Sequence, residues 1–388
     1  MLIVLLSIGI LFGSFNVQSA KASGTIYIRA DGSVDPQSSP ISSTDNITYV
    51  LTDNIASCLV VERNDTIIDG ASKTLTGTGV ATATGIAISN GFNVTIENVN
   101  IVHVYGYGVS LGNSSKCSVH SNNITDNYMG IYLYGSQDNT LSNNVVTGSN
   151  TGVLLDYSSH NNNVTGNDVM NSGYGIWLTS SSSDNDISAN NITGSVLYGV
   201  LLQGCSGNRI HGNNTLRDNN FGIMLYSSSQ NGIRQNTLVQ NDNFSIVLSF
   251  SSNNNTIIGN DIIDNAGGIG MISCYGNFLH HNNLRGNGEQ AHVESSSNSW
   301  DDGSEGNYWS NYLSRYPNAS EIDSSGIGDT AYYIDANNID HYPLMAPIVI
   351  PEFPSFLILS LIMIVTLPAV IAHRRRKVRC EAKTSGTH

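Results

Sequence analysis

The side chains best suited to chemistry in this chain are ten histidines, five cysteines and a set of aspartates towards the C-terminal end. His120, His211 and His280 fall in about one column of a repeating unit, four and three units apart. At roughly 4.8 Å per unit their backbones would stand about 19 and 14 Å apart. A copper site needs His, Cys or Met donors within bonding distance, so these three are not expected to share an ion. His280 and His281 are neighbours on one strand and are expected to point to opposite faces. Cys205 and Cys274 each follow a repeat glycine by six residues. Three units separate them by about 14 Å, against a limit of roughly 7 Å for a disulfide. Cys58 and Cys117 share no register and Cys380 lies near the end, so the thiols are expected to be buried and free.

Oxygen donors are more plentiful. Asp301, Asp302, Asp323, Asp329, Asp335 and Asp340 could gather a hard cation. The run Asp323-Ser-Ser-Gly-Ile-Gly-Asp329 mixes Asp and Gly as calcium loops do, which makes Asp323 and Asp329 the candidate Ca2+ ligands; solvated acidic turns are the competing reading. Trp300, Trp309 and Tyr312 are expected to pack among themselves.

The elements that must carry these groups are legible in a repeat. Gly-[Ile/Val]-x-[Leu/Ile/Met] begins at Gly85, Gly108, Gly130, Gly152, Gly175, Gly199, Gly222, Ser245 and Gly268, in steps of 22 to 24 residues. Each unit continues with Asn-x-[Ile/Leu/Val]-x-x-Asn-x-[Ile/Leu/Val], as in Asn208-Arg-Ile-His-Gly-Asn213. A fixed period of this size marks a solenoid. Apolar residues alternate for only a few positions, as in Gly175-Ile-Trp-Leu-Thr179, before Asn, Gly or Ser intervenes. The strands are therefore short, and no unit has room for a helix. The spacing predicts an all-β, right-handed parallel β-helix with two or three strands per coil. Asn98, Asn122, Asn143, Asn167, Asn190, Asn213, Asn236, Asn260 and Asn282 recur at one place in the unit and are expected to form an amide ladder along the axis. Eleven N-x-[ST] matches, among them Asn93, Asn123, Asn163, Asn191 and Asn243, arise largely from the same turn chemistry, although some are potential glycosylation acceptors.

If the first and third residues after each glycine point inward, the second and fourth point out. The second-position column reads Tyr132, Leu154, Trp177, Leu201, Met224, Val247, and the fourth reads Tyr134, Asp156, Thr179, Gln203, Tyr226. Paired acids for glycosidic chemistry should lie about 5 to 9.5 Å apart, and only Asp156 appears on this face. An exposed apolar stripe marks an interaction surface, and spaced Tyr and Trp suit the CH faces of sugar rings. Tyr132, Tyr134, Leu154, Asp156, Trp177, Leu201, Gln203, Met224 and Tyr226 are the candidate glycan contacts; a loop or the C-terminal segment packing over the stripe is the alternative.

Charge narrows the partners. Only 12% of residues are charged and the formal net charge is -14. Residues 23–350 hold nine basic against twenty-eight acidic residues, about -19, while six basic residues cluster between Arg374 and Lys383. Nucleic acid is disfavoured; cations and neutral polymers are the expected partners. Met1 to Phe15 is almost wholly apolar, followed by Ser19, Ala20, Ala22 and Ser23, which reads as a signal peptide lacking a basic start or as an uncleaved anchor. Phe356 to Ala372 is uncharged, about 25 Å as a helix, and the Arg374-Arg375-Arg376-Lys377 cluster that follows places the tail in the cytoplasm.

The lead-in Gly24-Thr-Ile-Tyr-Ile-Arg29, the repeat, and the endings Asn307-Tyr-Trp-Ser310, Gly326-Ile-Gly-Asp-Thr330 and His341-Tyr-Pro-Leu344 resemble archaeal right-handed β-helix proteins related to NosD, a periplasmic copper-binding accessory protein. The domain is also called a carbohydrate-binding and sugar-hydrolysis module. Pro351-Glu-Phe-Pro354 before the apolar span resembles C-terminal sorting signals of archaeal surface proteins, cut by a sortase-like enzyme; a plain stop-transfer anchor is the alternative. The expected organisation is signal peptide 1–22, N-terminal cap and first coil 23–84, repeats 85–290, C-terminal cap 291–347, linker 348–355, transmembrane helix 356–372 and tail 373–388. The expected function is an anchored, extracytoplasmic glycan-binding protein with an adhesive or envelope role. A polysaccharide lyase or glycoside hydrolase is the first alternative and a copper accessory protein the second.

Overall fold

The computed structural model describes residues 24–77 and 83–350. The signal peptide, the Pro-Glu-Phe-Pro motif, the apolar span and the basic tail expected from the sequence lie outside the described residues. Among those described, no helix is long and apolar enough to cross a membrane.

The chain winds into a parallel β-helix with three faces, two sheets of thirteen strands and one of eleven. In one coil, Tyr174–Leu178 lies on the first face, Asp186–Ser188 on the second and Asn191–Thr193 on the third. Each strand pairs in parallel with its equivalents one coil away: Ile176 with Val153 and Val200, Ile187 with Val164 and Ile210, Ile192 with Val169 and Leu216. Period-two alternation sends Ile176, Leu178, Ile187 and Ile192 inward to 0% exposure. Each such side chain contributes about 1.5–3 kcal/mol of burial energy. Between strands the backbone turns through left-handed residues, Ser180, Ser181, Asp184, Ala189 and Gly194 in this coil, which explains the wealth of Ser, Asn, Asp and Gly.

The repeat glycine has a steric cause. A Cβ on Gly175 would lie 2.4 Å from Gly199 O and 2.7 Å from Ile192 Cγ2. Gly175→Ala is expected to destabilise the coil by about 1–3 kcal/mol through overpacking, seen as a lower urea midpoint. Buried Ser245 in the same column shows that only a small side chain is accommodated.

The asparagine ladder runs through Asn122, Asn144, Asn167, Asn190, Asn214, Asn236, Asn260, Asn282 and Asn307. Each Nδ2 donates to the next Oδ1 and to a backbone carbonyl of the preceding coil, as Asn167 does to Asn190 at 3.0 Å and to Leu141 O at 2.9 Å. Three expected members are corrected. Asn98, Asn143 and Asn213 adopt φ of 56°, 54° and 67° at corners, which turns their side chains out of the column. Asn144 and Asn214 replace two of them, and Val99 stands in place of the third, giving its N–H to Asn122 Oδ1 at 3.0 Å. A second ladder, not anticipated, runs from Asn139 through Asn162, Asn185, Asn208, Asn231, Asn255 and Asn277 to Asn298. A serine column lies beside it, and Cys205 and Cys274 occupy two of its places, donating N–H to Ser228 Oγ and Ser296 Oγ. Both thiols are free and buried, and burial pushes the Cys205 thiol up to about 11.

The C-terminal segment closes the stack by ending these ladders. Asn338, on a short antiparallel pair (Tyr332–Asp335 with Asn338–Asp340), accepts the Asn298 N–H at 3.0 Å. Asn307, the last amide of the first ladder, gives its N–H to Asp340 Oδ2 at 2.8 Å. Trp300, Trp309 and Tyr312 are buried here, with Trp309 stacked on Tyr332 at 4.1 Å.

Candidate functional site on the outer faces

On the first face, Tyr132, Leu154, Trp177, Leu201 and Met224 stand in one register column; Tyr134 pairs with Asp156, and Gln203 with Tyr226, beside it. The stripe is less exposed than its residues suggest. Leu154 and Leu201 are 4% and 6% exposed, because a third column preceding the glycines supplies more rings. Tyr107 stacks on Tyr132 at 4.7 Å, and Tyr174 on Trp177 at 4.8 Å. The result is a closed pavement with Tyr134, Tyr157 and Phe250 exposed at its rim. The Trp177 indole N–H is enclosed without a partner. Tyr132 Oη lies 3.4 Å from Asp156 Oδ2; burial first, and then Asp156, pushes the phenol well above its usual range.

A cluster of charge sits on the second face. Its outward columns read Asn163, Asp186, Arg209, Gly232, Thr256 and Thr165, Ser188, His211, Arg234, Ile258. Gly232 has no side chain where its neighbours carry long ones, and a cavity of about 770 Å³ opens there, lined by Asp186, Arg209, His211, Gln230, Arg234 and Thr256. A continuation of about 460 Å³ passes Asn163, Asp184 and Ser188. Arg209 donates to Asp186 Oδ2 at 2.9 Å, and His211 Nε2 lies 2.9 Å from Asp186 Oδ1. Burial pushes the Asp186 carboxyl up, but the His211 and Arg209 hydrogen bonds outweigh it and hold the group below its usual range. Asp186 is thus an anion that holds Arg209 and His211, unsuited to act as a general acid. Arg234 donates to Thr256 Oγ1 at 3.2 Å and has no carboxylate partner among the described residues. Asn208-Arg-Ile-His-Gly-Asn213 carries Arg209 and His211 at outward positions, but the gap beside them at Gly232 shows only once the coils are stacked.

A third grouping corrects an expectation. His280 ends the strand Tyr275–His280, but His281 has φ of 56°. The turn swings its ring to the same side as that of His280, and the two Nδ1 atoms meet. His280, His281 and Asp302 place one ligand atom each within 4.8 Å of one another, the only group of three such side chains among the described residues. Asp323 and Asp329 are not in it. Asp329 accepts the Ser320 N–H at 3.0 Å and the Thr330 hydroxyl at 2.9 Å. His120, His211 and His280 do share one column, four and three coils apart. His120 faces Glu97 at 3.1 Å, as His211 faces Asp186.

Residues 43–216 and 198–314 match the family described as periplasmic copper-binding protein (NosD). The chain belongs to the NosD family. No curated protein matches it. Among solved structures, the NosD-family fold is similar to the periplasmic alginate epimerase AlgG, at 16% identity over 71% of this chain and 84% of that one, with a TM-score of 0.51. The mannuronan C-5 epimerase AlgE6 A-module of Azotobacter vinelandii gives 16% identity, 72% and 91% coverage and 0.52. The catalytic domain of a GH87 alpha-1,3-glucanase in complex with tetrasaccharides gives 16%, 64%, 56% and 0.54. These neighbours are carbohydrate-active β-helix enzymes, and at such identity the likeness is one of fold. The copper in the family's description can be tested against the residues present. Imidazole suits Cu(II) and Zn(II), and carboxylate can complete the set; His280, His281 and Asp302 fit such an ion, whereas His120 and His211 are each engaged by a single acid on another coil.

Proposed function

We propose that this NosD-family chain works outside the cytoplasm as a carbohydrate-binding β-helix, holding a carboxylated glycan along the groove of its second face. The observation that carries the reading is Arg234: a guanidinium facing a polar groove with no carboxylate partner among the described residues, one coil from Arg209 and His211. Guanidinium groups bind carboxylates through paired N–H donors, and a coil rise of about 4.8 Å is close to the repeat of a sugar chain. A local cationic patch suffices on an acidic body because charges beyond about 8 Å are screened at physiological salt. This departs from the neutral polymer expected from net charge alone. The first-face pavement around Trp177, with Tyr134, Tyr157 and Phe250 exposed at its rim, is the second contact. An apolar anchor at 356–372, with or without processing at the Pro-Glu-Phe-Pro motif, would hold the protein at the cell surface in an adhesive or envelope role.

The test is binding of the purified chain to polygalacturonate and alginate against a neutral glucan, with assay of reducing and unsaturated ends. The expected result is preference for the polyuronates, weakened about tenfold or more in Arg234→Ala and by raised salt, with no product. Equal binding of neutral and acidic chains, lost in Trp177→Ala but not in Arg234→Ala, would move the site to the first face. Product release would make the protein an enzyme.

A further inference from the structure

We infer that the corner between the third face and the first holds a separate site for a neutral sugar, built from Tyr105, Asp126, Tyr128 and Asn150. It uses none of the residues of the groove around Arg234, so either reading can fail without the other.

The corner recurs in every coil, and three successive coils differ there in a way that opens it. His103, Asp126 and Gly148 take one position, each giving its backbone N–H to the residue that ends the next third-face strand, Thr125, Thr147 and Met170. All three are left-handed, with φ of 56°, 54° and 67°. Two residues further on stand Tyr105, Tyr128 and Asn150. Gly148 has no side chain and Asn150 a short one, so a cavity of about 390 Å³ opens beside the two tyrosines, a volume in the range of small-molecule sites.

The groups around it are free to bind. Tyr105 and Tyr128 are 65% and 53% exposed. Tyr107 and Tyr132 stack on each other nearby, whereas neither Tyr105 nor Tyr128 stacks on a ring among the described residues. Asp126 leans over the gap, since a Cβ on Gly148 would fall 2.3 Å from its Oδ1. Its Oδ2 lies 3.8 Å from His103 Nε2, beyond hydrogen-bond length. Both carboxylate oxygens and the Asn150 amide are therefore without a hydrogen-bond partner among the described residues.

These are the parts that recognise a pyranose. A carboxylate accepts from two neighbouring hydroxyls, an amide both donates and accepts, and an aromatic ring covers the apolar CH face. Asp126 repels a ligand carboxylate or phosphate, which sets this corner apart from the second-face groove and selects an uncharged sugar. An organic cation is the competing occupant, because tyrosine rings and an acid suit one too. The Asn150 amide hydrogens and the His103 imidazole favour hydroxyls over a cation. With both sites filled, one chain would join an acidic polymer to a neutral one.

The experiment uses the full chain with cellotetraose, mannotetraose, galactotetraose, trigalacturonate and choline, read by saturation-transfer NMR and calorimetry. The expected result is binding of a neutral tetrasaccharide, insensitive to salt, with saturation strongest at the CH protons of one ring face. Tyr128→Ala should lower its affinity about 3–10-fold and Asp126→Asn about 10–100-fold, while Trp177→Ala and Arg234→Ala leave it unchanged. Trigalacturonate should show the opposite pattern, weakened by Arg234→Ala and by salt but not by Asp126→Asn. Asparagine tolerates the left-handed backbone at 126 and Tyr128 is exposed, so both variants should keep their coils, as circular dichroism would verify. Failure of all three neutral sugars to bind, or binding that survives both Tyr128→Ala and Asp126→Asn, would overturn the inference. So would choline binding more tightly than any of the sugars and losing affinity in the same two variants.

Discussion

Asn190→Ala is expected to destabilise the solenoid by about 4 kcal/mol or more. The side chain accepts the Asn167 N–H at 2.9 Å and the Asn167 Nδ2–H at 3.0 Å, and donates to Asn214 Oδ1 at 3.0 Å and Val164 O at 2.8 Å. Asn190 is 1% exposed, so water does not replace what is lost. The Asn167 N–H loses its acceptor, and the Asn167 Nδ2, which keeps Leu141 O and Thr165 O, the Asn214 Oδ1 and the Val164 carbonyl each lose one bond, at about 1–3 kcal/mol for a buried group left unpaired. Because a solenoid is coupled between neighbouring coils, the defect should appear as faster amide exchange at Asn167 and the adjoining coils, together with a lower urea midpoint. Asn143→Ala is the control. Asn143 lies outside the ladder with φ of 54°, and alanine there costs about 1–2 kcal/mol for the left-handed backbone. Equal losses in the two variants would sink the ladder account.

The second large effect is at Asp340. Its Oδ2 accepts Asn307 N–H and Trp309 Nε1–H, both at 2.8 Å, and its Oδ1 accepts the Tyr342 N–H at 3.1 Å. Gly306 is tied to it, since a Cβ there would fall 1.8 Å from Oδ1. One carboxylate therefore joins the Asn307-Tyr-Trp and Asp340-His-Tyr segments. Asp340→Asn must turn an NH2 towards a donor and is expected to loosen the cap by about 2–4 kcal/mol, followed through the fluorescence of buried Trp300 and Trp309. Burial pushes the carboxyl up to about 6, against an ordinary 3.8, despite the donors that pull the other way. A pKa raised on folding means that the group's stabilisation is full below about pH 4 and is lost as the pH rises through 6. The loss is about 3 kcal/mol for a shift of roughly two units. Cap stability of the native chain should fall across that window, while Asp340→Asn is flat. An unchanged pH profile between the two would refute the assignment.

The repeat and its spacing made the β-helix legible, because inward residues at period two and corner residues of the Asn, Ser and Gly type recur in every unit. The expected asparagine column and the observed ladder share Asn122, Asn167, Asn190, Asn236, Asn260 and Asn282. It slipped by one at the doublets Asn143-Asn144 and Asn213-Asn214, since either residue of a doublet can take the left-handed corner. The candidate stripe was legible as a column but not its exposure: Leu154 and Leu201 point outward, yet rings from a neighbouring column cover them.

Residue types in a repeating order were enough to set coil length, strand direction, the apolar core and the acidic net charge, because those follow from local alternation and composition. The groove at Gly232 and the meeting of His280, His281 and Asp302 were not available in that order. They arise where a missing side chain leaves space between coils, or where a single positive φ turns a strand neighbour onto the same face. Such events depend on the path of the backbone in three dimensions, and the spacing of residues along the chain does not encode them.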